Sequence, residues 1–358
     1  MPNNNEVLIV FIDAFPFKCK DILLNLLHNT IRAVIELIPE IGYSSNQHPA
    51  LFSGLLPDEV GYFTDWNFNG NQFGRKIPYL NHNSNINFII NQLNLRIGLT
   101  NNNIPIGLKK YFSNSGIYYF ENSDKFKLLR INKLASFKLR YTKLNKEFEM
   151  LDDLNEIKFT KKEFIVINSV DHWGHSFTPY STRYKELIID LIKKISKVVD
   201  KFVNQYPKAK VLIISDHGMT IVDKKKNIVL EKEFGKQGKE YIYFLDSVIL
   251  RVWCSNGIYS NIKNSLIEKS YKVLTKDDRI YYGLTKKSFG SIIAIAPAGT
   301  IFVPNYFGYG IMHKARGMHG YFPSEETQHG IMACNFNLKG KVLRNRDVFR
   351  VISKVIKP

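Results

Sequence analysis

Short, unbroken apolar runs recur along the chain: Val7 to Ile12 (VLIVFI), Phe164 to Ile167 and Val211 to Ile214. Runs of this length suit strands buried on both faces of a parallel sheet. Between them the period changes from continuous to helical. Ile22 to Leu27 follows the first run, and Arg183 to Val203 places Leu187, Ile188, Leu191, Ile192, Ile195, Val198, Val199 and Phe202 on one stripe, with lysines opposite. Strand, helix, strand in that order predicts right-handed crossovers and a doubly wound α/β core, with a mostly parallel central sheet and helices on both faces. Two stretches break the alternation. Residues from about 67 to 161 are rich in Asn and Tyr with interrupted periodicity, and are expected to form an irregular insertion. Residues 241–307 offer β-type runs (YIYFL, VILRVW, SIIAIA, TIFV) punctuated by Gly and Pro. They predict a small cap subdomain set into a core made of 1–240 and 308–358, a placement where insertions commonly select substrates.

The chain has 358 residues, with 44% apolar and 13% aromatic positions, enough for a large core and roughly two folded units. That balance excludes a disordered tail, a collagen-like fibre and a disulfide-stapled miniprotein. Cys19, Cys254 and Cys334 are far apart and odd in number, which predicts buried free thiols rather than a disulfide framework or a metal knuckle. No apolar run approaches the roughly 20 residues of a membrane span. The opening MPNNNEVLIVFIDAF lacks a basic flank and carries an acid, so it reads as a first strand rather than a signal peptide, and a cytoplasmic location is expected. Fifty Lys and Arg against 32 Asp and Glu leave a formal charge of +18, which favours anionic partners. The lysines are scattered among asparagine runs, so nucleic acid is not the expected partner and no membrane surface is implied; oligomeric state is left open.

The candidate chemistry lies where the apolar runs end. Asp13, Asp171 and Asp216 follow the three runs, at the carboxyl edge where open α/β sheets place their ligand crevice. Singly, each acid reads as a helix cap. Together, three carboxylates converging on one edge are costly unless cations neutralise them. His175 stands four residues after Asp171 in VDHWGHS, across a glycine that suggests a turn, and His217 follows Asp216 in SDHGM. Carboxylate with neutral imidazole is a ligand set for zinc, manganese or iron. Ser44 and Ser45 precede the helix-compatible NQHPALFSG, so one of them is either an N-cap or a nucleophile at a helix N-terminus, needing a dication for activation.

Taken in order, IDAF, SSNQHPALFSGLLP, VDHWGHSFTP, ISDHGM and GMHGYFPSEE resemble the motifs of the alkaline phosphatase superfamily, in its type I phosphodiesterase and nucleotide pyrophosphatase branch. The resemblance implies an alkaline-phosphatase-like fold and two divalent metals, zinc first, with manganese or iron as alternatives. It assigns one metal to Asp171, His175 and His319, and the other to Asp13, Asp216, His217 and Ser44. Ser44 becomes the nucleophile, with Ser45 as its neighbouring alternative, and a covalent phospho-enzyme intermediate follows. Asn67 is the counterpart of the family asparagine that contacts a phosphate oxygen. Gln47 stands where the family has Asn, Pro49 where it has an aromatic, and Thr178-Pro179 where it has Gly-Pro. Phe177 is a candidate for stacking a base or aryl group, and Lys18, Lys314 and Arg316 for an extra phosphate oxygen. The implied substrate is a small phosphate ester or nucleotide. A phosphomonoesterase on the same scaffold is the alternative, and a catalytically silent polyanion binder a more distant one. Sulfatase is disfavoured because no C-x-P-x-R or S-x-P-x-R element follows Asp13, and cofactor-independent phosphoglycerate mutase because no long domain separates Ser44 from Asp171.

Overall fold

A computed structural model of the chain describes residues 6–68, 111–114, 136–238, 240–303, 305, 315–338, 340 and 342–356. Two units emerge: Met1–Leu56 with Tyr118–Ile221 and Pro323–Pro358, and Pro57–Ile117 with Val222–Phe322. The 241–307 stretch falls within the second. Most of the irregular stretch expected over 67–161 lies outside the described residues.

The first unit is built on a seven-stranded sheet: β1 (Val7–Ile12), β2 (Ala33–Ile38), β3 (Lys138–Arg140), β4 (Lys162–Ile167), β5 (Lys210–Ile214), β6 (Gly330–Cys334) and β7 (Val342–Arg344), in the order β7-β2-β6-β5-β1-β4-β3. The three predicted apolar runs are its central strands. All six residues of β1 are buried because β4 and β5 flank it in parallel, the setting in which a strand has no polar face to show. The register pairs Phe11 with Ile214, so Asp13 and Asp216 each stand two residues beyond a paired position on neighbouring strands. Four of the six pairings are parallel; β6 runs antiparallel to both β2 and β5.

Helices cover both faces, as the alternation along β1 dictates. Leu8, Val10 and Ile12 join a core with α1 (Lys20–Leu26), α3 (Glu147–Leu154) and α5 (Thr182–Gln205). Phe11 points the other way, with its ring edge-on to Phe52 at 5.4 Å, on α2 (Ser44–Ser53). The remaining α-helices among the described residues of this unit are α4 (Ser169–Ser176) and α6 (Asn345–Ile356), the latter packed on α2. The expected amphipathic helix over Arg183–Val203 is longer by a residue or two at each end, starting where the Ser181 side chain accepts the Tyr184 N–H.

In the second unit three of the four β-type runs join Lys272–Val273 in a four-stranded antiparallel sheet, in the order Tyr241–Leu245, Ile249–Cys254, Ile292–Ile295, Lys272–Val273. Helix Asn256–Glu268 buries Ile258, Ile262 and Leu266. Trp66–Phe68 pairs with Phe112–Asn114, and Lys224–Lys226 with Thr300–Phe302. The three cysteines are free; Cys19 and Cys334 are buried as expected, whereas Cys254 is only half-buried. No helix among the described residues is long and apolar enough to cross a membrane.

Candidate active site

Strand β1 delivers Asp13 and then turns abruptly. Ala14 takes a left-handed backbone (φ 60°), a conformation that costs a non-glycine residue and clusters at functional sites. The turn aims the Ala14 N–H at Asp216 Oδ1 (3.3 Å), which also accepts the His217 N–H at 3.0 Å. The His217 ring is fixed as well. Its Nδ1–H donates to the Gly218 carbonyl at 2.9 Å, which turns Nε2 toward the site. Around that nitrogen stand Ser44 Oγ at 3.2 Å, Asp216 Oδ2 at 3.4 Å and Asp13 Oδ1 at 3.5 Å. Two glycines make this corner possible. A Cβ on Gly218 would lie 2.5 Å from the Thr327 carbonyl oxygen, and one on Gly330 2.5 Å from that of Ser215.

Ser44 is the first residue of α2, after Tyr43 in extended conformation (φ −104°, ψ −176°). Its hydroxyl faces His217, while Ser45 is buried at the next position. Gln47, where the family resemblance calls for Asn, ties the helix to the incoming loop. Its Oε1 accepts the Glu40 N–H (2.8 Å) and its Nε2 donates to the Glu40 carbonyl (2.7 Å). His48 follows, buried, with Nε2 3.4 Å from Asp216 Oδ2 and its ring edge-on to Phe11 at 5.2 Å.

Asp171 and His175 correct a local expectation. β4 stops at Ile167, and Asp171 lies in the first turn of α4 rather than at a strand end. His175 is one helical turn on, with Nε2 3.3 Å from Asp171 Oδ1, so i,i+4 geometry and not a turn brings the two together. The helix starts where it does because Glu147, 22 residues away and buried, accepts the N–H groups of Asn168 (2.7 Å) and Ser169 (3.0 Å) as well as the Ser169 hydroxyl. A carboxylate on those free N–H groups is a strong cap. Burial pushes the Glu147 carboxyl up, and the three donors pull it part-way back. Gly174 lies against Met219, whose Cε would be 2.6 Å from a Cβ there; the DHWGH and DHGM segments thus pack on each other.

Asp13, His48 and Asp216 each offer a ligand atom, and these atoms lie within 4.8 Å of one another; Asp171 and His217 meet the same condition. Burial, followed by the nearby Asp216 and Asp171 carboxylates, pushes the Asp13 carboxyl well above the usual carboxylate range. Burial would raise Asp216 too, but His217 and His48 outweigh it and hold that group at about 2. Two adjacent buried carboxylates cannot both stay charged cheaply. Oxygen and imidazole donors with surplus negative charge suit zinc, manganese or iron, so the residues fit the implied cations.

His319 is buried and belongs to the second unit, as does Asn67, which sits on the Trp66–Phe68 strand opposite Ser113. Phe177 ends α4 and is exposed, and Lys18 is exposed with Nζ 5.9 Å above the Tyr180 ring. Arg316 is exposed in the second unit; Lys314 lies outside the described residues. A cleft of about 310 Å³ within the second unit is lined by Lys226, Lys232, Lys269 and Tyr271, but its Glu233 is already held by Lys269 and Ser265.

The sequence pattern of the type I phosphodiesterase / nucleotide pyrophosphatase family matches residues 98–322, well over half of the chain. The chain belongs to that family. It is therefore a phosphoric ester hydrolase in the alkaline phosphatase superfamily. The matched stretch contains Asp171, His175, Asp216, His217 and His319, while Asp13 and Ser44 precede it. Solved structures similar in fold include murine ectonucleotide pyrophosphatase / phosphodiesterase 5, as an inactive variant in complex with AMP (TM-score 0.61, 15% identity, 98% of this chain and 95% of that one). The human protein of the same name follows at TM-score 0.55 and 18% identity, over 98% of this chain and 94% of that one. No curated protein matches the chain. The family's α/β fold, with its large mostly parallel sheet, is the one described above.

Three residues of this candidate site were not evident from the motifs: His48, Glu147 and Asn345. His48 lay inside a recognised motif and carried a visible signal, a histidine one helical turn after a candidate nucleophile. The other two act over distances in sequence that no local pattern reports.

Proposed function

We propose that the chain cleaves phosphodiester or nucleotide pyrophosphate bonds with Ser44 as nucleophile, assisted by two divalent cations, zinc first and manganese or iron as alternatives. The observation that supports this most directly is the Ser44 hydroxyl 3.2 Å from His217 Nε2, beside Asp13 and Asp216. Asp13, Asp216 and His217 with Ser44 would hold one cation, and Asp171, His175 and His319 the other. His48, within reach of Asp13 and Asp216, is a further donor to the first group. Bound cations would neutralise phosphoryl charge and lower the pKa of the attacking hydroxyl.

The residues of the chain set the rest. Ser44 opens α2, and the dipole at a helix N-terminus favours an anionic phosphoryl group. Ser44 Oγ attacks phosphorus; an Oγ–P bond forms as the P–O bond to the departing alcohol or nucleotide breaks. Water then cleaves Oγ–P and restores the hydroxyl. Asn67 would hold a non-bridging oxygen, with Phe177 and Lys18 as contacts for the leaving portion. The neighbouring structure bound to AMP favours a nucleotide-type ester as the substrate class.

The test is a set of parallel rates on a bis-aryl phosphate diester, a nucleoside monophosphate aryl ester and an aryl phosphate monoester, each with zinc and with manganese. Diester or nucleotide ester turnover above monoester turnover supports the reading; the reverse order makes the protein a phosphomonoesterase. Purified protein with less than about one equivalent of bound divalent ion and no turnover would favour a silent polyanion binder, whose ligand affinity should fall steeply with salt.

A further inference from the structure

Asn345, the first residue of α6, is fully buried and 298 residues from Gln47 in sequence. Its amide nitrogen donates to Gln47 Oε1 at 2.8 Å and to the Asp216 carbonyl at 2.6 Å. The orientation of both amides follows from the donors and acceptors around them. Gln47 Oε1 already accepts the Glu40 N–H, and Nε2 donates to the carbonyls of Glu40 (2.7 Å) and Gly42 (3.4 Å). Gln47 can therefore offer Asn345 only an acceptor, and the Asp216 carbonyl is another. Asn345 Oδ1 is left buried with no hydrogen-bond partner among the described residues, a cost that an apolar side chain would not carry. Flanking it, Arg344 and Arg346 reach the buried Glu40 carboxylate at 3.3 and 3.5 Å, so the segment before Ser44 is anchored to the same joint.

We propose that Asn345 is a positioning residue that sets the distance between the Ser44 hydroxyl and the Asp216-His217 donors, by bridging α2 to the backbone of Asp216. This rests on the reading of Ser44 as nucleophile. Gln47 lies three residues after Ser44, and Asp216 directly precedes His217, so slack in this one amide acts on both sides of the reacting hydroxyl at once. A displacement of about 1 Å in such a pair costs on the order of 100-fold in rate.

The experiment compares wild type, Asn345→Ala, Asn345→Asp, Gln47→Ala, the double variant Asn345→Ala with Gln47→Ala, and Ile192→Val as a packing control on α5. Each is measured for kcat and KM on bis-4-nitrophenyl phosphate with zinc, for zinc affinity against a chromophoric chelator, and for melting. The expected result is a kcat lower by about 100-fold at near-constant KM and a zinc affinity weaker by about 10-fold in the Asn345 variants. Asn345→Asp, which faces two acceptors with a third, should be at least as impaired. The double variant should lose less than the two single losses combined, because both break the Asn345–Gln47 bridge, although Gln47→Ala also removes the bonds to Glu40. Wild-type kcat and zinc affinity in folded Asn345 variants, losses no larger than those of Ile192→Val, or additive losses in the double variant overturn the proposal. If both Asn345 variants fail to fold, Gln47→Ala decides: retained kcat overturns it, and a 100-fold loss at constant KM supports it. Failure of the underlying reading shows instead in wild type, as absence of both turnover and zinc uptake, and the proposal falls with it.

Discussion

Each unit of the molecule buries an aspartate completely, and the two solve the resulting charge in opposite ways. In the second unit Asp246 Oδ2 accepts from Arg251 Nε at 2.9 Å, and the guanidinium also donates to the Trp66 carbonyl (3.0 Å) and lies over the rings of Phe244 and Trp253. That charge has a buried cation as its partner. In the first unit Asp13 and Asp216 share one corner, faced by imidazoles. A buried acid-guanidinium pair holds a fold together, whereas adjacent acids faced by imidazole nitrogens are a candidate set of metal ligands.

The comparison breaks most visibly in turnover. Ser44→Ala should lower kcat by roughly 10³- to 10⁶-fold while leaving zinc bound, as read by parallel rate and metal analysis; full activity would move the nucleophile to Ser45 or to water. Next in size is Arg251→Met, which strands Asp246 and should cost about 3–5 kcal/mol in urea unfolding. Replacing both partners by apolar residues should recover most of that loss, and zinc affinity should not change in either variant. Zinc at 100 times its dissociation constant should stabilise the protein by about 2.7 kcal/mol, and Asp216→Asn should abolish the gain in melts with and without chelator.

The smallest effect is in pH. Burial, only partly offset by Arg251, raises Asp246 from 3.8 to about 6. The folded state keeps that proton longer than the unfolded state does, so the associated stability is full below pH 3.8 and is lost as pH rises through about 6. Asp13, also raised, adds a loss of the same sign. Zinc should remove the Asp13 contribution and leave that of Asp246, so urea midpoints between pH 4 and 7 should slope less, but still slope, when zinc is present. Identical slopes with and without zinc would mean that Asp13 is not a ligand.

Much of this was legible in the residues. VLIVFI has no polar position, so it had to be a central strand, and Asp13 and Asp216 end runs that pair in register. Asp171 was singled out but placed at a strand end, because SVDHWGHS is short and weakly periodic; its helical start is imposed by Glu147 from another helix. The bridging amide of Asn345 had no local signal, since both of its partners are more than a hundred residues away.

Apolar patterning by itself determined the α/β class and the central strands, because burial of a continuous run depends only on what the run contains. Motif spacing determined which acids and histidines to watch, because a strand end or a helical turn fixes where a nearby side chain points. Tertiary structure alone decided that His48 faces Asp216, that Glu147 starts the Asp171 helix and that Asn345 joins Gln47 to Asp216. Those are hydrogen bonds and ion pairs between distant segments, and their partners exist only once the sheet has brought the segments together.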